Sequence, residues 1–352
     1  MARNECYRPD SMKYTAVLVP GDGIGPEVAH ATCSILKAAN APIDWVHCLA
    51  GVAALDAGEK ELLPAATVAA IREHKVALKG PCTTPVGGGF SSVNVAMRKT
   101  LDLYGAVRPV RSLVGVPTRF DNVDLVVVRE NTEGLYAGIE NEITKGVVTS
   151  VKVATREACL RIAEFAFQYA AHRNRKKVSV FHKANIMKLS DGMFIRCARE
   201  VHDAKFPNIA YEELIIDAAC MRLVQDPTRF DVLLMENLYG DVISDLCAGL
   251  VGGLGLVPGA NLGEHAAIFE AVHGSAPDIA GQGIANPLAL TMSAVMMLNY
   301  IAEMHGDGAL AATATRIRTA YDLALRDGCK TRDLGGTLTT SQFADAVIAR
   351  LG

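Results

Sequence analysis

Short apolar runs closed by small or polar residues recur along the chain, and their lengths and spacing predict buried strands alternating with helices. Residues 15–19 form a β-branched run that ends in Pro20-Gly-Asp-Gly-Ile-Gly-Pro26, and residues 27–38 then place apolar side chains at helical spacing. This reads as strand, glycine-rich turn, helix. Residues 76–79 end in a second glycine-rich cluster, 80–89, and residues 125–128, 178–181 and 232–235 are further short strands followed by polar positions. Such alternation argues for an α/β architecture, in which ligands bind beyond the carboxyl ends of the strands. Lys79, Arg129, Lys183 and residues 236–245 stand at those ends.

Two segments depart from the pattern. Residues 139–153 are rich in β-branched side chains around a Lys145-Gly146 turn, which predicts a hairpin; protruding from an α/β chain, it would pair with another subunit. The longest uncharged run, 279–302, is broken by Gly281, Gln282, Gly283, Asn286 and Pro287, so its apolar part is only 288–302. That is short of the roughly 20 residues that span a bilayer, and it predicts a core or subunit-interface helix.

At 352 residues the chain has the length of about two domains. Its 35 basic and 38 acidic side chains leave a net charge of −3, which argues against a nucleic-acid stripe or a polybasic membrane patch but allows a local cationic site for a small acid. Nine cysteines, never closer than fifteen residues, form neither a disulfide framework nor a CxxC pair, so a reducing compartment is expected. Residues 1–12 mix Arg3 and Arg8 with Glu5 and Asp10 and lack a signal-peptide apolar stretch. The expectation is cytoplasm, with the mitochondrial matrix as the alternative.

Three constellations carry candidate chemistry. Lys79, Thr84, Ser91, Ser92, Asn94, Arg98, Arg108 and Arg129 combine three guanidiniums with short hydrogen-bonding side chains, which suits a small polycarboxylate. Surface ion pairing is the competing reading of the arginines. Asp241 and Asp245, four apart at the start of a helical segment, with Asp217 elsewhere, offer oxygen ligands for magnesium or manganese; helix capping explains the spacing equally well. The turn Gly21-Asp-Gly-Ile-Gly-Pro26 lacks the last glycine of the dinucleotide fingerprint and reads as a tight strand-to-helix turn. His273, Tyr136 and Lys183 each follow an apolar run, where an acid or base would face a ligand.

Taken together, five strings resemble the β-decarboxylating dehydrogenases, the isocitrate/isopropylmalate dehydrogenase family, and are most similar to its NAD-dependent isocitrate dehydrogenases. They are 79–98, Arg129-Glu-Asn-Thr-Glu-Gly-Leu-Tyr136, His182-Lys183-Ala-Asn185, Gly240-Asp-Val-Ile-Ser-Asp245 and His273-Gly-Ser-Ala-Pro-Asp278-Ile279. The resemblance implies a two-domain α/β fold that is not a Rossmann fold. The large domain would take 1–103 and 252–352, the small domain 104–251, and a clasp hairpin at about 137–155 would pair with the partner in a homodimer. It implies that Ser92, Asn94, Arg98, Arg108 and Arg129 bind isocitrate, with Tyr136 and the partner's Lys183 as acid and base and the partner's Asn185 orienting the substrate or the nicotinamide. Asp241, Asp245 and the partner's Asp217 would bind Mg²⁺ or Mn²⁺. Thr84, His273, Gly274, Ser275, Ala276, Asp278, Ile279 and Asn286 would bind NAD, because NADP-using relatives carry lysine and tyrosine at the positions of Asp278 and Ile279. Homoisocitrate, isopropylmalate or tartrate as substrate, and a non-catalytic regulatory subunit, are the alternative readings.

Overall fold

The predicted strands pair into one ten-stranded sheet in the computed structural model, which describes residues 13–84 and 92–352. Residues 1–12 and 85–91, the latter including Ser91, lie outside the described residues. The strands are β1 (Tyr14–Val19), β2 (Ile43–His47), β3 (Val76–Lys79), β4 (Gly105–Arg111), β5 (Asp124–Glu130), β6 (Gly134–Thr144), β7 (Val147–Val153), β8 (Lys177–His182), β9 (Ala210–Ile215), β10 (Val232–Met235), β11 (Pro258–Leu262) and β12 (Ala267–Ala271). The sheet order is β2-β1-β3-β12-β11-β4-β5-β10-β8-β9. Helices cover both faces, so β3 and β10 are buried along their whole length, which is why they read as unbroken apolar runs rather than as alternations.

The sheet has an internal seam. Strands β2, β1, β3 and β12 run parallel to one another, as do β5, β10, β8 and β9, but the contacts of β11 with β12, of β11 with β4 and of β4 with β5 are antiparallel. One half of the sheet comes from residues 14–79 and 258–271, the other from 105–235. Helices bury their apolar faces against each half separately, which leaves one face of the seam open between the helix Val93–Thr100 and the helix Asn237–Leu250.

The uncharged segment forms the helix Leu288–His305, buried on nearly every side and packed on β11, β12 and the helix Gly25–Ala38. Within the chain it is a core helix. None of the described helices is long and apolar enough to cross a membrane, and the eight described cysteines are free thiols. The hairpin exists but begins five residues earlier than the pattern suggested, at Gly134, and forms its own two-stranded sheet. Ile139, Ile143, Val147, Val148 and Val151 remain exposed on it, an apolar surface that one chain does not bury.

Candidate active site

Register across the seam brings charges together that are far apart in sequence. Lys79 on β3 is the direct neighbour of Glu270 on β12, and Glu270 is the neighbour of Gly259 on β11. Continuing the β11–β4 register puts Arg108 opposite Gly259. Arg129 pairs with Ala106, two residues from Arg108 on the same strand, so the two guanidiniums share a face. Arg98 reaches in from the helix Val93–Thr100, whose N-cap is Ser92. The result is a cavity of about 330 Å³ lined by Lys79, Ser92, Asn94, Arg98, Arg108, Arg129, Tyr136, Asp241, Asp245, Asn261, Glu270, His273 and Gly274, among others. It lies on the face of the seam rather than only beyond strand ends; Arg108 is in mid-strand.

Internal pairs hold these groups. Glu270 receives Lys79 at 2.5 Å, Arg98 at 3.5 Å and the Asn261 amide at 2.6 Å. Burial alone would raise the Glu270 carboxyl, but Lys79 and Arg98 hold it down at about 2. Burial would likewise lower the Lys79 ammonium, and Glu270 keeps it above its ordinary value. Sequence reasoning missed Glu270, because only the β3–β12 register reveals it. A depressed folded pKa makes its stabilisation fully present above the ordinary 4.5 and lost as pH falls toward about 2. The melting-temperature gap between the parent and Glu270→Gln is therefore expected to be wide at neutral pH and to narrow steadily below pH 4.5. A gap independent of pH would contradict this pairing.

On the other wall, Arg129 donates Nε and Nη2 to Asn237 Oδ1 at 3.0 and 2.7 Å, donates Nη1 to Asp241, and lies 5.1 Å over the Tyr136 ring. Arg108 stands 3.6 Å from both Asp241 and Asp245 and donates to Ser244. Burial, then the neighbouring Arg129 and Arg98, lowers Arg108 to about 10, a sign of crowded positive charge. Tyr136 donates its hydroxyl to Asp241 at 2.6 Å; burial and that carboxylate raise its pKa, so the phenol keeps its proton. Burial opposes ionisation of Asp241, but Arg129, the Tyr136 hydroxyl and Arg108 keep its pKa below the ordinary value.

The capping alternative for Asp241 is removed. Glu236 caps the helix Asn237–Leu250 through the amides of Tyr239 and Leu238, leaving Asp241 and Asp245 one turn apart and facing the cavity. Three polar atoms on the lining are buried without a hydrogen-bond partner: Asn94 Oδ1, Arg98 Nε and His273 Nε2. Burial holds His273 below its ordinary value and hence neutral, while its Nδ1 donates to Gly274 O at 3.0 Å. That leaves Nε2 as an acceptor. Unpaired buried polar atoms converging on one cavity point to a ligand that supplies their partners.

The candidate cofactor residues sit on adjoining loops. Thr83 shares a hydrogen bond of 2.6 Å with Ser275, and Thr84 Oγ1 accepts the Val93 amide. Ala276, at φ +39°, leads into the short turn Pro277–Ile279, where Asp278 is exposed and Ile279 rests on the core. Asn286 is buried and bound to Asp333 at 2.9 Å. Asp22, unremarked in the sequence, ties this region together: its carboxylate accepts the amides of Val52, Ala53 and Thr83. Gly21 and Gly23, at φ +78° and +59°, run against the carbonyls of Pro81 and Ser275, where a Cβ would overlap them. The glycine turn is thus a packing device between loops.

Lys183, Asn185 and Asp217 are not on the cavity lining. Lys183 and Asp217 pair with each other at 2.6 Å near the surface, the aspartate well exposed. Among the described residues no group of three or more acidic, histidine or cysteine side chains is placed to hold a metal within one chain.

The isocitrate/isopropylmalate dehydrogenase family description matches residues 15–347. A Drosophila melanogaster protein named probable isocitrate dehydrogenase (NAD) subunit alpha, mitochondrial, is 49% identical over 99% of this chain and 90% of its own length. A Solanum tuberosum chloroplastic 3-isopropylmalate dehydrogenase is 53% identical over 82% of this chain and 81% of its own. The crystal structure of isocitrate dehydrogenase from Methylococcus capsulatus superposes with a TM-score of 0.90 at 46% identity, covering 96% of this chain and 99% of that one. At similar identity the names of relatives include catalytic and regulatory subunits alike.

Proposed function

This chain belongs to the isocitrate/isopropylmalate dehydrogenase family, and from that footing we propose that it oxidatively decarboxylates isocitrate to 2-oxoglutarate and CO₂ while reducing NAD⁺. The observation that carries the reading is the convergence of Arg98, Arg108 and Arg129 on one small cavity. Lys79 and these arginines face Glu270, Asp241 and Asp245, an excess of one positive charge. A divalent cation raises the excess to three, which matches the three carboxylates of isocitrate. An alkyl group in place of the third carboxylate could accept nothing from the Ser92 hydroxyl or the Asn94 amide N–H, which disfavours isopropylmalate.

Asp241 and Asp245 offer two carboxylates of the kind Mg²⁺ or Mn²⁺ takes, and the partner's Asp217 would complete the set. Once bound, such a cation supplies Lewis-acid stabilisation of negative charge on substrate oxygens. The protein's own residues divide the remaining work. Arg98, Arg108 and Arg129 grip carboxylates through paired N–H groups, and Ser92 and Asn94 hold the third. The partner's Lys183 takes the proton of the α-hydroxyl as hydride passes from the same carbon to NAD⁺, which leaves a β-keto acid. That acid loses CO₂, and Tyr136, kept protonated by its surroundings, delivers a proton to the carbon that carried the lost group. The partner's Asn185 orients the substrate or the nicotinamide, and Lys79 lines the cavity, whereas Thr84, expected beside it, is not on the lining.

Asp278 supports NAD over NADP: its exposed carboxylate can accept hydrogen bonds from ribose hydroxyls and would repel a 2′-phosphate. His273, Gly274, Ser275, Ala276, Ile279 and Asn286 would form the rest of that site. We propose the two halves of the sheet, with their helices, as the large and small domains at the boundaries expected from the sequence. The exposed apolar side chains of the hairpin support its pairing with a second copy. Mitochondrial names among the relatives favour the matrix and lend the cytoplasmic expectation no support.

Initial rates of cofactor reduction test the assignment, crossing NAD⁺ and NADP⁺ with isocitrate, homoisocitrate, isopropylmalate and tartrate in the presence and absence of Mg²⁺ or Mn²⁺. Metal-dependent turnover of isocitrate with NAD⁺ is expected. Preference for another acid would overturn the pocket argument, preference for NADP⁺ the Asp278 argument, and silence throughout would favour a regulatory subunit.

A further inference from the structure

Lys152 on β7 turns into the body of the chain. Its side chain is 14% exposed, and its ammonium donates to Asp191 Oδ1 at 2.6 Å, stands 3.8 Å from Glu236 Oε2 and lies 4.8 Å over the Tyr239 ring. Asp191, 3% exposed at its side chain, uses its second oxygen to accept the backbone N–H of Lys183 at 2.7 Å. Asp191 opens the helix Ser190–Lys205, and Glu236 caps the helix that carries Asp241 and Asp245. One cation from the hairpin therefore joins the starts of two helices that flank site residues.

The partners of Asp191 are informative. An aspartate in the first turn of a helix is already favoured by the positive end of the helix dipole and needs no partner outside the helix. Here one oxygen goes to the hairpin lysine and the other to the main chain that carries Lys183. The Lys183 side chain itself is near the surface, so its direction depends on how its main chain is held. We infer that Lys152 and Asp191 are positioning residues for Lys183, so that the hairpin facing the partner also sets how Lys183 is presented to the partner's cavity. The inference rests on the proposed role of Lys183 as base.

Removing one member of a buried pair leaves an uncompensated charge, so the test uses two neutral double variants, Lys152→Met/Asp191→Asn and Lys152→Met/Asp191→Leu. Asparagine keeps an acceptor for the Lys183 N–H; leucine removes it. The leucine variant is expected to show a kcat for isocitrate oxidation at least about tenfold below the asparagine variant, since small misplacements of a reacting group cost rates of this order. KM for isocitrate and the dimer should be unchanged, because the arginines are untouched. Equal kcat in the two variants, or a loss of kcat matched by a rise in KM and a fall in melting temperature, would overturn the inference. Lys183→Met in the same assay separates the premise: full turnover by that variant would remove the base and the inference with it, whereas an inactive Lys183→Met beside equal double variants would sink the inference alone. If the leucine variant does not assemble, hydrogen exchange at the Lys183 amide is compared between Lys152→Met/Asp191→Ala, which also removes the acceptor, and Lys152→Met/Asp191→Asn. Faster exchange in the alanine variant is expected, and equal exchange in the two would overturn the inference.

Discussion

An Arg129→Met variant is expected to lose about three orders of magnitude in kcat/KM for isocitrate and to melt a few degrees lower. Arg129 is fully buried and makes the most contacts of the three arginines, binding Asn237 twice, Asp241 once and the face of Tyr136. A charge-assisted hydrogen bond contributes about 1.5–3 kcal/mol, so loss of a two-point grip on one carboxylate gives roughly 4 kcal/mol, or about a thousandfold. Tyr136, the proposed proton donor, also loses the cation beneath its ring. The stability cost is smaller, about 1–3 kcal/mol, because the Asp241 side chain is 38% exposed and keeps Arg108 nearby, so water and a second guanidinium replace part of what is lost. Steady-state kinetics and thermal melting check both parts. Turnover within tenfold of the parent would show that Arg129 serves the fold alone.

Lys183→Met is expected to behave differently, with kcat falling about 10²- to 10⁴-fold, the usual contribution of a positioned general base. KM for isocitrate should stay within a few-fold, since the carboxylate-binding set is intact, and melting should barely move, since Lys183 contacts only the exposed Asp217 through its side chain. A large rise in KM instead would make Lys183 a binding group. Both expectations concern a residue that lies off the cavity of its own chain, and under the proposal the catalytic effect arises in the partner's cavity.

Strands and helices were legible wherever burial imposed a period. β3 and β10 stand as read, and the apolar segment ending near residue 302 is a helix. Lys79 and Arg129 were visible because a charge at the end of an apolar run is conspicuous. Glu270 was not, because its meaning depends on the register between β3 and β12, which no local pattern encodes. Asp22 was hidden for the same reason: its three amide partners come from the start of the helix Val52–Asp56 and from the segment after β3, both distant in sequence. The spacing of Asp241 and Asp245 could not separate capping from cation binding; only the presence of Glu236 at the cap does. Lys183, Asn185 and Asp217 mark a different limit: they lie off the cavity of their own chain, and the proposal gives them a role only in a partner's cavity.

The central claim is that this cavity becomes a catalytic site only with the partner's Lys183, and subunit mixing tests it most directly. Lys183→Met chains and Arg129→Met chains, each inactive alone, would be mixed and allowed to exchange. Every mixed dimer then has one cavity with an intact Arg129 facing an intact Lys183 and one with neither. Random pairing makes half the dimers mixed, so about a quarter of parental activity is expected to return. Activity no higher than the sum of the two unmixed variants would contradict the account.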